Sequence, residues 1–135
     1  MMKQHIITFF VSLLFVPILF LALILGNLIG ETYVWFNNFV SFIKFPFFLG
    51  RIISSIIAGT LAGYISAFLI FKIYKKLSFQ VALIFPLLLI VAAIATDIMN
   101  ANRNGYDIYF LSHMIRNPLT FIFYFIFLKE FRFNS

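Results

Sequence analysis

Residues 6–29 read IITFFVSLLFVPILFLALILGNLI, an apolar run without a charged side chain. On a helix rising about 1.5 Å per residue, that run is long enough to cross a hydrocarbon core of about 30 Å. Three further runs follow, at about 49–71, 79–99 and 108–128. Together they define the expected fold class: an all-α integral membrane protein, with four transmembrane helices in an antiparallel bundle. The composition agrees. The chain of 135 residues is 64% hydrophobic and 10% charged, with a mean hydropathy of +1.09. A soluble domain carries roughly 25% charged residues, so this chain lacks the polar surface to face water. No polar stretch is long enough to bury a core of its own, so residues 1–135 form a single four-span domain.

The first run exceeds the ~7–15-residue core of a signal peptide and has no pair of small residues at cleavage spacing. It is expected to stay as the first span. Pro17 predicts a kink within it. Residues 31–46 are of another kind. Tyr33, Trp35, Phe36, Phe39, Val40, Phe42 and Ile43 gather on one side of a helical wheel, and Glu31, Asn37, Asn38, Ser41 and Lys44 on the other. That pattern fits an amphipathic helix lying in the membrane interface. An irregular aromatic loop is the alternative.

The second span is rich in small residues. Ser54, Ala58, Ala62 and Ser66 form one row at four-residue steps, and Ser55, Gly59, Gly63 and Ala67 form a second. Residues four apart stack on one helix face, and a Gly-x-x-x-Gly face lets another backbone come close. Ser55, Gly59, Gly63 and Ala67 are therefore the expected helix-packing residues, either within the chain or in a homodimer.

The third span carries Pro86 and ends in Thr96 and Asp97. An Asn-rich stretch, Asn100–Gly105, follows and reads as the turn into the fourth span. With the turn centred on Asn102–Gly105, Ile94 lies opposite His113 and Val91 opposite Arg116. Asp97 then lies about two turns outward of Arg116. The fourth span is unusual for its polar residues: Ser112, His113, Arg116, Asn117 and Thr120. Asn117-Pro118 has the form of an N-cap followed by proline at the first helical position. Either the span is full-length and kinked there, or a short segment starts there.

Six basic residues, Lys3, Lys72, Lys75, Lys76, Lys129 and Arg132, fall on the side of both termini, and four on the other. Positive residues stay cytoplasmic. A bacterial-type inner membrane with both termini cytoplasmic is the expected location. Net charge is +6, but the basic residues sit at span ends, as membrane anchors do, so no nucleic-acid partner is expected. The chain has no cysteine, which excludes disulfides and thiol catalysis.

An ionisable residue inside a membrane is costly and marks a functional candidate. Arg116, His113, Asp97 and Asn117 are the candidate ligand-binding residues, with a guanidinium reaching outward to Asp97. The bland alternatives are an arginine that only snorkels to the interface and a structural Arg116–Asp97 pair. No metal site, cofactor or catalytic residue is expected. No G-x-S-x-G, H-E-x-x-H or phosphate-cradling loop is present. The leading expectation is a small polytopic inner-membrane protein, not an enzyme. It would act by contact with another membrane component, as an accessory subunit, an immunity-type partner or a homo-oligomer. The alternative is a small transporter or lipid-handling protein that binds an anionic group near Arg116. A water-accessible cavity at Arg116 would favour the second, and an open packable face on the second span the first.

Overall fold

The computed structural model describes residues 1–39 and 47–134, backbone only at 27, 30–39 and 47–49. These residues form five helices: α1 (Met2–Ser12), α2 (Phe15–Phe39), α3 (Phe47–Ile73), α4 (Phe79–Asn104) and α5 (Ile108–Phe133). No strand occurs among them. Four stretches are long and apolar enough to cross a membrane: Met2–Gly26, Gly50–Ile73, Phe79–Asn104 and Ile108–Phe133. The first of these joins α1 to the start of α2.

Proline lies inside three of the spans. Pro17 has no N–H to give to the Leu13 carbonyl four residues back. The helix is interrupted at Leu13–Leu14, and that carbonyl takes a bond from Val16 N–H at 3.3 Å instead. Pro86 likewise leaves the Ala82 carbonyl without its usual partner. Here α5 supplies the donor: the fully buried Tyr124 hydroxyl gives its hydrogen bond to Ala82 O at 2.9 Å. Such repair by a neighbouring helix is what makes proline tolerable in a span. Pro118 lies inside α5, which runs on without a break. The fourth span is therefore full-length, and Asn117 is not an N-cap. That role falls to Asp107, whose side chain accepts from Phe110 N–H at 2.9 Å.

The interfacial segment expected at 31–46 begins inside α2, which continues as helix through Glu31 to Phe39. The side chains of that stretch and residues 40–46 lie outside the described residues.

α3 is the central helix, packing most extensively against α5 and next against α2. Its two small-residue rows divide this work. A Cβ added at Gly59 would lie 2.9 Å from the Arg116 carbonyl oxygen. One at Gly63 would lie 2.6 Å from the Thr120 carbonyl oxygen and 2.8 Å from the Tyr124 nitrogen. The α5 backbone therefore lies directly on the Ser55–Gly59–Gly63–Ala67 row. Ser55 and Ser112 bond through their hydroxyls at one end of this seam, and the Phe68 and Phe131 rings meet edge-on at the other. α3 and α5 thus run in the same direction. The other row faces α2: a Cβ on Gly26 would fall 2.6 Å from both Cα and Cβ of Ala58.

The main apolar cluster gathers Phe15, Ala67, Ile70, Leu77, Ala82, Tyr124 and Leu128. Beside it, α1 is fastened to the α3–α4 turn. Gln4 Nε2 donates to the Lys76 carbonyl at 2.5 Å, and Ser78 N–H donates to Thr8 Oγ1 at 2.9 Å. Phe71 at the end of α3 stacks with Phe131 near the end of α5. The chain's start, the Lys72–Lys76 region and the end of α5 therefore share one end of the molecule. The α4–α5 turn lies at the other.

Candidate ligand site between α2, α4 and α5

The opening between α2 and α4 holds the candidate site. The two helices barely touch, because α4 leans on α5 and α1 while α2 leans on α3. The space between them is a cavity of about 560 Å³. Pro17, Phe20 and Leu23 of α2 form one wall, and Leu89, Ile90 and Ala93 of α4 the other. This part is wholly apolar. At one end the lining changes to Thr96 and Asp97 of α4 and His113, Arg116 and Asn117 of α5. All four predicted ligand-site residues therefore line one cavity.

Their pairing differs from the sequence expectation. Asp97 Oδ2 accepts from Asn117 Nδ2 at 3.0 Å, and Asp97 Oδ1 lies 3.2 Å from His113 Nδ1. Asp97 is thus level with Arg116, not two turns outward of it. The cause lies at the end of α4. The helix runs through the Asn-rich stretch to Asn104, and Gly105 ends it, with φ 97° and ψ 159°. Those angles belong to a region essentially reserved for glycine. The turn is therefore displaced outward along the chain, and α5 meets α4 in a different register.

His113 and Asn117 are one helical turn apart on α5, so both reach the same carboxylate. With its oxygens engaged in this way, Asp97 makes no ion pair with Arg116. Among the described residues no carboxylate lies within ion-pair distance of Arg116, and its buried Nε has no hydrogen-bond partner. A buried polar group without a partner is costly, and more so when it carries charge. Arg116 stands about 12 Å along α5 from its first residue, inside the spanning segment. Arg116 thus carries a buried donor without a partner and lines the polar end of the apolar cavity.

A second, smaller cavity of about 180 Å³ lies toward the α4–α5 turn. Asp97 and His113 line both cavities and stand between them. Asn100, Asn104, Asp107 and Tyr109 complete its polar lining. From the sequence, Asn100 and Asn117 are expected to supply amide groups to a polar pocket rimmed by Asp107 and Arg103, whereas Asn104 looks like a turn residue. The i, i+4 spacing of Asn104 from Asn100 was the available signal that the two share a helix face.

No group of three or more His, Cys, Asp or Glu side chains able to hold a metal occurs among the described residues. The chain matches no protein-family model, no curated protein and no solved structure.

Proposed function

We propose that this chain is a small, non-enzymatic, multi-pass inner-membrane protein that binds an anionic amphiphile from the bilayer. Its apolar chain would lie between α2 and α4, and its anionic group at Arg116. The observation that carries this is the buried, unpartnered Arg116 Nε at the polar end of an apolar cavity of about 560 Å³. Lipid alone is an adequate solvent for the cavity walls, but it offers nothing to a guanidinium unless an anionic group comes with it. Arginine suits this role because its planar fork matches a phosphate or carboxylate.

Action by contact with another membrane protein, or homodimerisation through the second span, has weaker support. The Gly59–Gly63 face on which it would rest is covered by α5 of the same chain. In the proposed topology successive spans alternate in direction, as an antiparallel bundle, with both termini and the Lys72–Lys76 region cytoplasmic. The six basic residues of that end then follow the positive-inside rule. Impermeant thiol labelling on intact cells tests this: Asn104→Cys reacts and Lys75→Cys does not. The reverse pattern overturns the orientation.

Native mass spectrometry after purification in mild detergent tests the binding. Wild-type protein should retain a lipid adduct, and Arg116→Leu should lose most of it while remaining monodisperse. Arg116→Lys should retain an intermediate amount. Equal occupancy in Arg116→Leu and wild type overturns the proposal.

A further inference from the structure

Arg116 and Asp97 line the same end of the large cavity, one on α5 and one on α4, yet they do not pair. Asn117 Nδ2 donates to Asp97 Oδ2 at 3.0 Å, and His113 Nδ1 lies 3.2 Å from Asp97 Oδ1. With the imidazole neutral, the two charges cancel. An anion drawn to the guanidinium is then also repelled by the carboxylate. On the reading that Arg116 holds the anionic group of an amphiphile, we propose that His113 is a proton-operated switch on that site. Proton uptake by its imidazole offsets the Asp97 carboxylate and lets the anion bind.

Three observations carry this. The first is position. His113 stands three residues before Arg116 on α5, where side chains are neighbours on one helix face, and it lines the same cavity. Its Nδ1 already rests on the carboxylate. Protonation makes both ring nitrogens donors and turns that contact into an ion pair. The second is access. Asp97 and His113 also line the smaller cavity toward the α4–α5 turn, and the His113 side chain is 40% exposed. Water at that end therefore reaches the pair without crossing the apolar space. The third is the surrounding charge. Among the described residues, α2 presents only apolar side chains to the cavity, and α4 presents no ionisable group but Asp97. Behind α5, α3 sets Gly59 against the Arg116 carbonyl, and its charge at this end, Arg51, lies over the Tyr109 ring. Asp107 and Tyr109 line the smaller cavity only, and Arg103 lies beyond both cavities in the last turn of α4. Of these residue types, histidine alone ordinarily changes charge between about pH 5 and 8. As pH falls, His113 gains a proton, the polar end becomes net positive and anion binding tightens. As pH rises, the proton is lost and binding weakens.

The test uses the full chain, immobilised in non-ionic detergent micelles, and radiolabelled phosphatidylglycerol. The phosphodiester of this lipid keeps one negative charge throughout, so a change of pH acts on the protein. Retention by Arg116→Leu is subtracted as background. Wild-type protein is expected to bind about tenfold more tightly at about pH 5 than at about pH 8, the scale of a unit charge added one helical turn from the anion. His113→Gln keeps a hydrogen-bonding side chain without a charge and should bind equally at both, at the wild-type level of pH 8. Asp97→Asn removes the opposing charge and keeps an acceptor for Asn117. It should bind at pH 8 about as tightly as wild type does at pH 5, a reading that stands even if His113→Gln fails to fold. Arg116-dependent binding that is equal at both pH values, or tighter at pH 8, overturns the switch and leaves the anion site standing. A wild-type pH profile in His113→Gln, or no gain at pH 8 in Asp97→Asn, also overturns the switch. No Arg116-dependent binding at either pH overturns both.

Discussion

The seam between α3 and α5 and the opening between α2 and α4 are built from opposite materials. At the seam, Gly59 and Gly63 bring one backbone against another, with no room for a single added carbon. At the opening, Phe20, Leu23 and Leu89 line about 560 Å³ of space between the helices. Within a bilayer the hydrophobic effect does not drive helices together, since lipid tails are as apolar as leucine. Helices close only where small side chains permit backbone contact, and elsewhere lipid can enter. One comparison thus separates the part of the molecule that holds the fold from the part that is left open.

The largest expected effect follows from the seam. Gly63→Leu forces a side chain into the α5 backbone at Thr120 and Tyr124 and should cost about 3 kcal/mol, the upper end of ordinary overpacking. Thermal unfolding in detergent reads this loss. Ile57→Leu and Ile65→Leu, which keep side-chain volume, should change little. A Gly63→Leu protein as stable as wild type would mean that the seam is not the structural centre.

Next is the repair of the Pro86 defect. Tyr124→Phe keeps the ring, which packs edge-on against Phe15 with centroids 5.0 Å apart. It removes the hydroxyl that satisfies the Ala82 carbonyl. Leaving a buried acceptor unpaired costs about 1–3 kcal/mol. The double variant Tyr124→Phe, Pro86→Ala should recover most of that loss, because residue 86 then donates to Ala82 itself. Without such recovery, Tyr124 acts through packing alone.

The seam and the spans were legible in the sequence, and the opening was not. Four-residue repetition of Ser, Ala and Gly is a local pattern, and its consequence for close approach follows from side-chain size. Which helix would approach each row was not readable, because α3 divides its rows between α5 and α2. The polar site was half legible. Intramembrane charge singled out Asp97, His113 and Arg116, and the cavity does bring them together. Their pairing was misjudged because asparagine suits both a turn and a helix end, so Asn100–Asn104 looked like the turn itself. Among the described residues only Gly105 takes a positive φ. The cavity left no local mark, since it arises from the divergence of two helices that are not neighbours in the chain.

A smaller effect should appear where the opening meets its polar end. Asn117→Ala removes one of the two partners of Asp97, and a double-mutant cycle with Asp97→Ala should give an interaction of about 1 kcal/mol. Thermal unfolding of the four proteins supplies the cycle. Strict additivity would mean that the carboxylate is held by His113 alone or has turned to Arg116.

The smallest expected change in stability is the sharpest test of the comparison. Ala93→Leu adds bulk to α4, as Gly63→Leu does to α3, but Ala93 faces the cavity and is only partly buried. Substitutions away from tight packing usually stay within about 0.5 kcal/mol, so the unfolding temperature should hardly move. The added side chain would instead occupy space proposed for an acyl chain. Lipid adducts in native spectra should then fall several-fold while Arg116 and its neighbours stay unaltered. If Ala93→Leu destabilises the protein as Gly63→Leu does, the opening is closed packing in solution, and the contrast between the two regions is lost. If stability and lipid occupancy are both unchanged, α2 and α4 do stand apart, but the space between them is not where the chain of the ligand lies.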